Sequence, residues 1–324
     1  MTVANGVAAG VTSYACGIHA IDTDYVRPLF DASHLVVENG RAAFVDCGTS
    51  HSVPRLLAAL DALGLSTDSV DWLFLTHVHL DHAGGAGALL RHLPKARVVV
   101  HPRGAPHLVD PRKLVSASIA VYGEALYARL YGEILPIPEQ RVVAAEDGGR
   151  FELHGRCFEV MHTPGHALHH QVFFDERSNG VFTGDTFGLS YREFDVAGRA
   201  FALPTTSPTQ FDPEQLVSSI RAILARSPSR AYLTHYGEIT DLPRIGASLE
   251  RQIRALETLA RKAHAETTAE ALRLRLRSEV RASLLGELRQ HGCRLDDAEI
   301  DAVLAPDIAL NADGLIAWLS RRAV

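Results

Sequence analysis

The chain has 324 residues, enough for one large domain, or for one domain with a small appendage. Its formal charge of -6 is spread along the chain, without the basic footprint that nucleic acid selects, so nucleic acid is not expected as its main partner. No run of about 18 apolar residues occurs and no basic residue opens MTVANGVAAG, so neither a membrane span nor a signal peptide is expected. The four cysteines, Cys16, Cys47, Cys157 and Cys293, are scattered without a C-x-x-C pair, which suits a cytoplasmic, reducing setting.

Strand signals dominate the first part. HLVVENGRAAFVD (34–46) is two apolar runs around Asn39-Gly40 and predicts a hairpin. SVPRLLAALDALGL (52–65) has the spacing of an amphipathic helix. DWLFLT (71–76) and ARVVVH (96–101) predict buried strands, with helical spacing between them. Residues 104–140 carry Tyr122, Tyr127, Tyr131, Pro136 and Pro138 on a helical rhythm, and predict an inserted cover. RFELHGRCFEVMHT and HQVFFDERSNGVFTGDT predict two further strand pairs. DPEQLVSSIRAILARS (212–227) predicts a helix with Asp212 as N-cap and Pro213 at its first position. SRAYLTH (229–235) predicts the last strand.

After about residue 241 the strands stop. Ile245, Leu249, Ile253, Leu256 and Ala260 share one helical face. Thr267 and Glu270 have the spacing of a capping box, and Leu272, Leu276, Val280 and Leu284 continue the helical spacing. Asp296 and Asn311 predict the caps of two short final helices. The expected division is a main domain over 1–240 and a helical extension over 241–324.

The chemistry concentrates in THVHLDHAGG (76–85), three histidines and an aspartate within six positions. His77 and His79 are two apart at a strand end, so their side chains can point the same way. Asp81 and His82 follow where the loop becomes a helix. Two successive ligand pairs suit two metal ions side by side, and zinc, iron and manganese all accept imidazole and carboxylate. More donors stand at later strand ends: HTPGH (162–166), FTGDT (182–186) and YLTHYG (232–237).

This set, in this order, resembles the metallo-β-lactamase superfamily, whose signature is H-x-H-x-D-H, then Pro-Gly-His, Gly-Asp and a final His. The resemblance covers roughly residues 14–240. It implies an α/β fold, a four-layer αββα sandwich, here with a small all-α C-terminal appendage. Carried over by position, His77, His79 and His166 hold the first metal, Asp81, His82 and His235 the second, and Asp185 bridges the two. Asp46, in FVDCGT, matches an early aspartate that supports the site without binding metal. His162 is expected as a strand-end residue or as an outer support of a ligand. One of His169 and His170 is a candidate to support a ligand through an outer hydrogen bond.

The implied activity is a dinuclear metallo-hydrolase with two divalent ions, zinc first, iron or manganese as alternatives. A metal-bridged hydroxide would attack a small acyl substrate, a thioester, ester or lactone, with Asp81 as the catalytic residue that relays its proton. His79 departs from the glutamate of the flavodiiron branch. The chain lacks the large inserted domain or Lys-rich arm of the RNA-processing branches. Three alternatives stay open: a phosphodiesterase of the same fold, a mononuclear iron persulfide dioxygenase, and a metal-containing regulatory protein acting through its helical extension. The expected partners are a small-molecule acyl substrate and, as an oligomer, a second copy in a homodimer.

Overall fold

A computed structural model describes residues 10–206, 210–266 and 268–322. The chain forms two compact units. The first runs up to His162 and takes in Gln171–Gly184 and Ala231–Glu238; the second comprises Thr163–His170, Asp185–Arg230 and the chain from Ile239 onward.

Two sheets build the first unit. The seven-stranded sheet takes its strands in chain order: β1 Val11–Ser13, β2 Ile18–Asp22, β3 Ala32–Glu38, β4 Arg41–Val45, β5 Val70–Phe74, β6 Arg97–Val100 and β7 Val142–Ala144. Strands β1 to β4 pair antiparallel, and β4 to β7 parallel. The six-stranded sheet comprises β8 Arg150–Leu153, β9 Arg156–His162, β10 Gln171–Asp175, β11 Gly180–Phe182, β12 Arg230–Leu233 and β13 Gly237–Ile239, in the order β13-β12-β11-β10-β9-β8. The expected hairpin is β3–β4: Asn39 and Gly40 both take positive φ, 49° and 76°, as the tight two-residue turn requires.

The near-continuous apolar runs of β4 to β6 have a packing reason. Ala43, Val45, Phe74 and Val99 face the other sheet and pack on Phe158, Val160, Phe173 and Phe182. Their neighbours Ala42, Phe44, Leu73, Val98 and Val100 face the opposite way, into a cluster with Leu56 and Leu60 of α1 (Val53–Ala62) and Leu89 and Leu90 of α3 (Ala86–Leu90). A strand buried on both faces loses the alternation of a half-exposed one. The short helix α2 (Leu80–Ala83) precedes α3 and carries the histidine loop's last two ligand candidates.

Residues 104–140 form α4 (Ala105–Val109), α5 (Arg112–Tyr122) and α6 (Glu124–Tyr131). Tyr127 and Tyr131 pack against Leu80, with Tyr25, Tyr122, Ile119 and Leu130 around them. Leu80, in the histidine loop, supplies the apolar contact that α5 and α6 bury.

The second unit contains α7 (Pro213–Ala225), α8 (Leu242–Glu266), α9 (Ala269–His291) and α10 (Asp297–Arg322). Asp212 caps α7 as expected, accepting from Gln215 N at 3.0 Å. The capping box of Thr267 and Glu270 lies outside the described residues. The two expected short helices are one. Asp296 and Glu299 exchange capping hydrogen bonds at 2.8 and 2.9 Å, and α10 then runs without a break through Pro306 and Asn311.

Asn311 is thus no helix cap. Buried inside α10, it serves the 204–206 loop instead: its Oδ1 accepts from Thr206 N at 2.7 Å, and its Nδ2 donates to Pro204 O at 3.1 Å. Asn311→Ala leaves a buried N–H and a buried carbonyl without partners, and should cost about 2–4 kcal/mol in a urea-unfolding measurement. Among the described residues α10 alone is long and apolar enough to cross a membrane by length and composition, and half of that stretch is buried. Its apolar face, including Ile300, Leu304 and Trp318, belongs to the core.

Candidate metal centre

In the first unit the ends of β4, β5 and β12 bring distant residues together around Asp46. Asp46 is buried, with φ at 54°, and its carboxylate collects four donors. Thr76 N–H reaches Oδ1 at 2.8 Å, and the Thr76 hydroxyl reaches both oxygens at 3.1 and 2.8 Å. The Thr234 hydroxyl donates to Oδ2 at 2.8 Å, and His82 Nδ1 lies 2.9 Å from the same oxygen. A carboxylate facing Nδ1 fixes the imidazole proton there and leaves the Nε2 lone pair as the coordinating atom. Asp46 therefore orients a ligand candidate and ties together the strands that carry the others.

The same logic sets His235 and His77. His235 Nδ1 sits 2.9 Å from the Phe30 carbonyl, which can only accept, so Nε2 carries the lone pair. The Phe30 ring meets the His235 ring edge-on at 5.2 Å and holds its plane. His77 Nδ1 is 3.1 Å from the Thr76 hydroxyl, whose own proton goes to Asp46. His77 Nε2 then turns to His79 Nδ1, 2.8 Å away.

Asp81 Oδ2 lies 3.9 Å from His82 Nε2 and 3.7 Å from His235 Nε2. Two ligands bonded at about 2.0–2.1 Å to one ion stand at most ~4 Å apart, so both distances fit a shared ion. Asp81, His82 and His235 form one group able to hold a metal. The imidazoles are almost fully buried, whereas the Asp81 side chain is 25% exposed.

In the second unit, His166 Nε2 and Asp185 Oδ2 are 3.4 Å apart, within the same limit. The turn carrying His166 is pressed onto α7: a Cβ on Gly165, whose φ is 131°, would sit 2.2 Å from Leu216 N. Asp212 N–H donates to Gly165 O, and the Ser219 hydroxyl to Pro164 O. His170 is the outer support of Asp185. Its Nε2 accepts from Asp185 N–H at 3.2 Å, and its Nδ1 faces the Thr163 and Thr186 hydroxyls at 2.8 and 3.0 Å. His162, at the end of β9, stacks on His101 at 4.1 Å and bonds Ala145 O, a strand-end role as expected.

Sequence reasoning missed Tyr25 and Asp31. The Tyr25 hydroxyl donates to that of Tyr131 at 3.1 Å, and Tyr122 meets the Tyr131 ring at 5.6 Å. Burial raises the pKa of all three phenols, and the charge of Asp81 adds to it, so all three keep their protons. Asp31 is fully buried, and Thr23 donates to its Oδ2 at 3.0 Å. Burial pushes its carboxyl well above the usual range; the His82 ring opposes this and Asp81 reinforces it. Neither residue stands in a recognisable motif. Only the β2–β3 loop, by folding back over the histidines, makes them part of the site.

Comparison with known proteins adds a family. Residues 26–276 match the family model described as metallo-beta-lactamase superfamily. The chain is 27% identical over 230 residues to the metallo-beta-lactamase fold-containing protein ST1585 of Sulfurisphaera tokodaii, spanning 69% of this chain and 80% of that protein. It is 30% identical to a hydroxyacylglutathione hydrolase of Pseudomonas paraeruginosa, over 81% of this chain and 77% of the relative. It is 27% identical to the atrochrysone carboxyl ACP thioesterase AacuM of Aspergillus aculeatus, over 79% and 68%. The crystal structure of ST1585 superimposes with a TM-score of 0.62 at 23% identity, over 94% of this chain and 99% of that one, a likeness of fold.

Proposed function

The chain belongs to the metallo-β-lactamase superfamily and is a metallo-hydrolase, and from that premise we propose that it uses two divalent ions to cleave a small acyl thioester. In this reading His77, His79 and His166 would hold one ion and Asp81, His82 and His235 the other, with Asp185 as a carboxylate that both would share. Zinc is the proposed metal. Residues 1–240 would be the catalytic domain, and 241–324 an extension.

The observation that carries the reading is the orientation of the donors. His82 and His235 both turn Nε2 toward Asp81 because Asp46 and the Phe30 carbonyl occupy their other nitrogens. Buried imidazoles so arranged are the donor set that zinc accepts. The thioester class rests on the named activities of two relatives, a hydroxyacylglutathione hydrolase and a thioesterase. It also rests on the aromatic cover, whose Tyr122, Tyr127 and Tyr131 offer apolar faces with polar tips to a small acyl group.

Bound metal supplies a water acidified to near neutral pKa and a Lewis acid for the carbonyl oxygen. The chain's own residues do the rest. Asp46 and Phe30 O hold the imidazoles in one tautomer, so they are aligned before any ligand arrives. Asp81, the one member of its group open to solvent, is placed to take a proton and release it. Tyr131, protonated and accepting from Tyr25, would present a hydroxyl that can donate to an acyl oxygen.

The test is elemental analysis of the purified protein, followed by thioesters, lactones and phosphodiesters assayed with and without a chelator. About two ions per chain, and thioester cleavage that stops with the chelator and returns with zinc, are expected. Cleavage that survives complete metal removal would overturn the metal reading. Cleavage confined to phosphodiesters would overturn the acyl substrate.

A further inference from the structure

The second unit holds a cleft of about 200 Å³ that plays no part in the metal chemistry above. Its charged walls come from three elements: Arg199 from a loop, Arg244 and Arg251 from α8, and Glu287 and His291 from α9. Arg244, Ser248 and Arg251 recur at i, i+4 and i+7, so they share one face of α8. Three guanidiniums thus meet one carboxylate in a chain whose net charge is -6.

The neighbouring acids absorb only part of this excess. Arg251 is paired with Glu287 at 2.6 Å, and Arg244 with Asp241 at 2.6 Å. Arg199 gives its hydrogen bond to a backbone carbonyl, that of His291, at 3.4 Å. Among the described residues Arg244 and Arg251 each have a carboxylate partner and Arg199 has none; Asp195, whose charge reaches His291, is paired with Arg192 at 3.4 Å. The His291 ring is held below its usual pKa: burial lowers it most and Arg244 and Arg199 lower it further, while the bond to Arg199 O and the charge of Asp195 oppose them. The ring is packed against Phe201 at 5.4 Å, and its Nε2 lies 3.2 Å from Arg199 O, which fixes the floor of the cleft.

We propose that this cleft is a binding site for a small anion bearing phosphate or carboxylate groups. Guanidinium forks match the paired oxygens of both groups, and a concave wall of one sign concentrates the field on the space between. The volume decides the size. At about 200 Å³ the cleft is below the ~300–1,000 Å³ of sites that enclose a drug-sized ligand, so it takes one or two anionic groups rather than a whole dinucleotide. Gln290 and Ser248 stand in the same wall as neutral donors. The proposal does not depend on the hydrolase reading.

The test is calorimetric titration of the metal-loaded full chain at low salt with glycerol 2-phosphate and, separately, with succinate. The first arm reads phosphate, the second carboxylate. One saturable site is expected in at least one arm, weakened about tenfold or more by Arg199→Ala. Arg199 is exposed, so its removal leaves the fold intact. Arg199→Lys, which keeps the charge and loses the fork, should fall between. Arg112→Ala, which removes an exposed guanidinium paired with Asp110 in the first unit, should change nothing. No saturable binding in either arm would overturn the proposal. So would binding unchanged in Arg199→Ala, since the anion would then be held elsewhere, as on the metals. An equal loss in Arg112→Ala would reduce the effect to general charge and overturn it as well.

Discussion

Asp81→Asn should lower turnover by about a hundredfold or more while most of the bound metal stays. The substitution keeps the size of the side chain and one coordinating oxygen. It removes the only carboxylate in the Asp81, His82 and His235 group, and hence its only proton acceptor once both imidazoles are committed. His82 and His235 keep their alignment, because Asp46 and the Phe30 carbonyl fix them without help from Asp81. Exposure separates Asp81 from its neighbours: at 25% it can return a proton to water, which the buried rings cannot. Asp185→Asn is the contrast. A carboxylate proposed to bridge two cations is held ionised and is a poor base, so its loss should reduce metal content together with rate. Turnover and elemental analysis, measured on the same preparations, separate the two. An Asp81 variant with full turnover would remove its role as proton relay.

Asp46→Ala should unfold more readily by about 3–5 kcal/mol and should bind metal poorly even when folded. Asp46 is the acceptor for Thr76 N–H, for the Thr76 and Thr234 hydroxyls and for His82 Nδ1, all buried. Alanine leaves each of these donors without an acceptor and removes the bond that fixes the tautomer of His82. It also loosens His77, whose Nδ1 leans on the Thr76 hydroxyl that Asp46 holds. Asp46→Asn tests the electrostatic part alone. Its amide oxygen can still accept from Thr76, while its NH2 faces a nitrogen that needs an acceptor, so stability should recover more than metal affinity. Chemical unfolding and metal titration of both variants check this. Equal metal affinity in the Asn variant and the parent would show that the carboxylate charge does not matter to His82.

What the sequence settled was whatever is local along the chain. The β3–β4 hairpin was legible because Asn39-Gly40 alone can take that turn between two apolar runs. The donors proposed for a metal stand out in the sequence because ligand chemistry fixes residue type and spacing, and strand ends collect such residues. The helix of 213–225 was legible through its own cap. Where the reading failed, the deciding contact lay far away in sequence. Asn311 has the look of a helix cap, but its partners are Pro204 and Thr206, more than a hundred residues back, and burying it there lets α10 continue. Tyr25 and Asp31 carry no signature, since their part in the site depends on how the β2–β3 loop, bonded to His235 through Phe30 O, folds over the histidines. The tautomers of His82 and His235 were equally hidden, being set by Asp46 and the Phe30 carbonyl from other strands. The same holds for the cleft of Arg199, Arg244 and Arg251, which are unremarkable until α8, α9 and a loop converge. Periodicity and turn chemistry act over a few residues, so a sequence displays them directly. Hydrogen-bond partners and charge clusters act through space, and only packing of the chain decides which residues become neighbours.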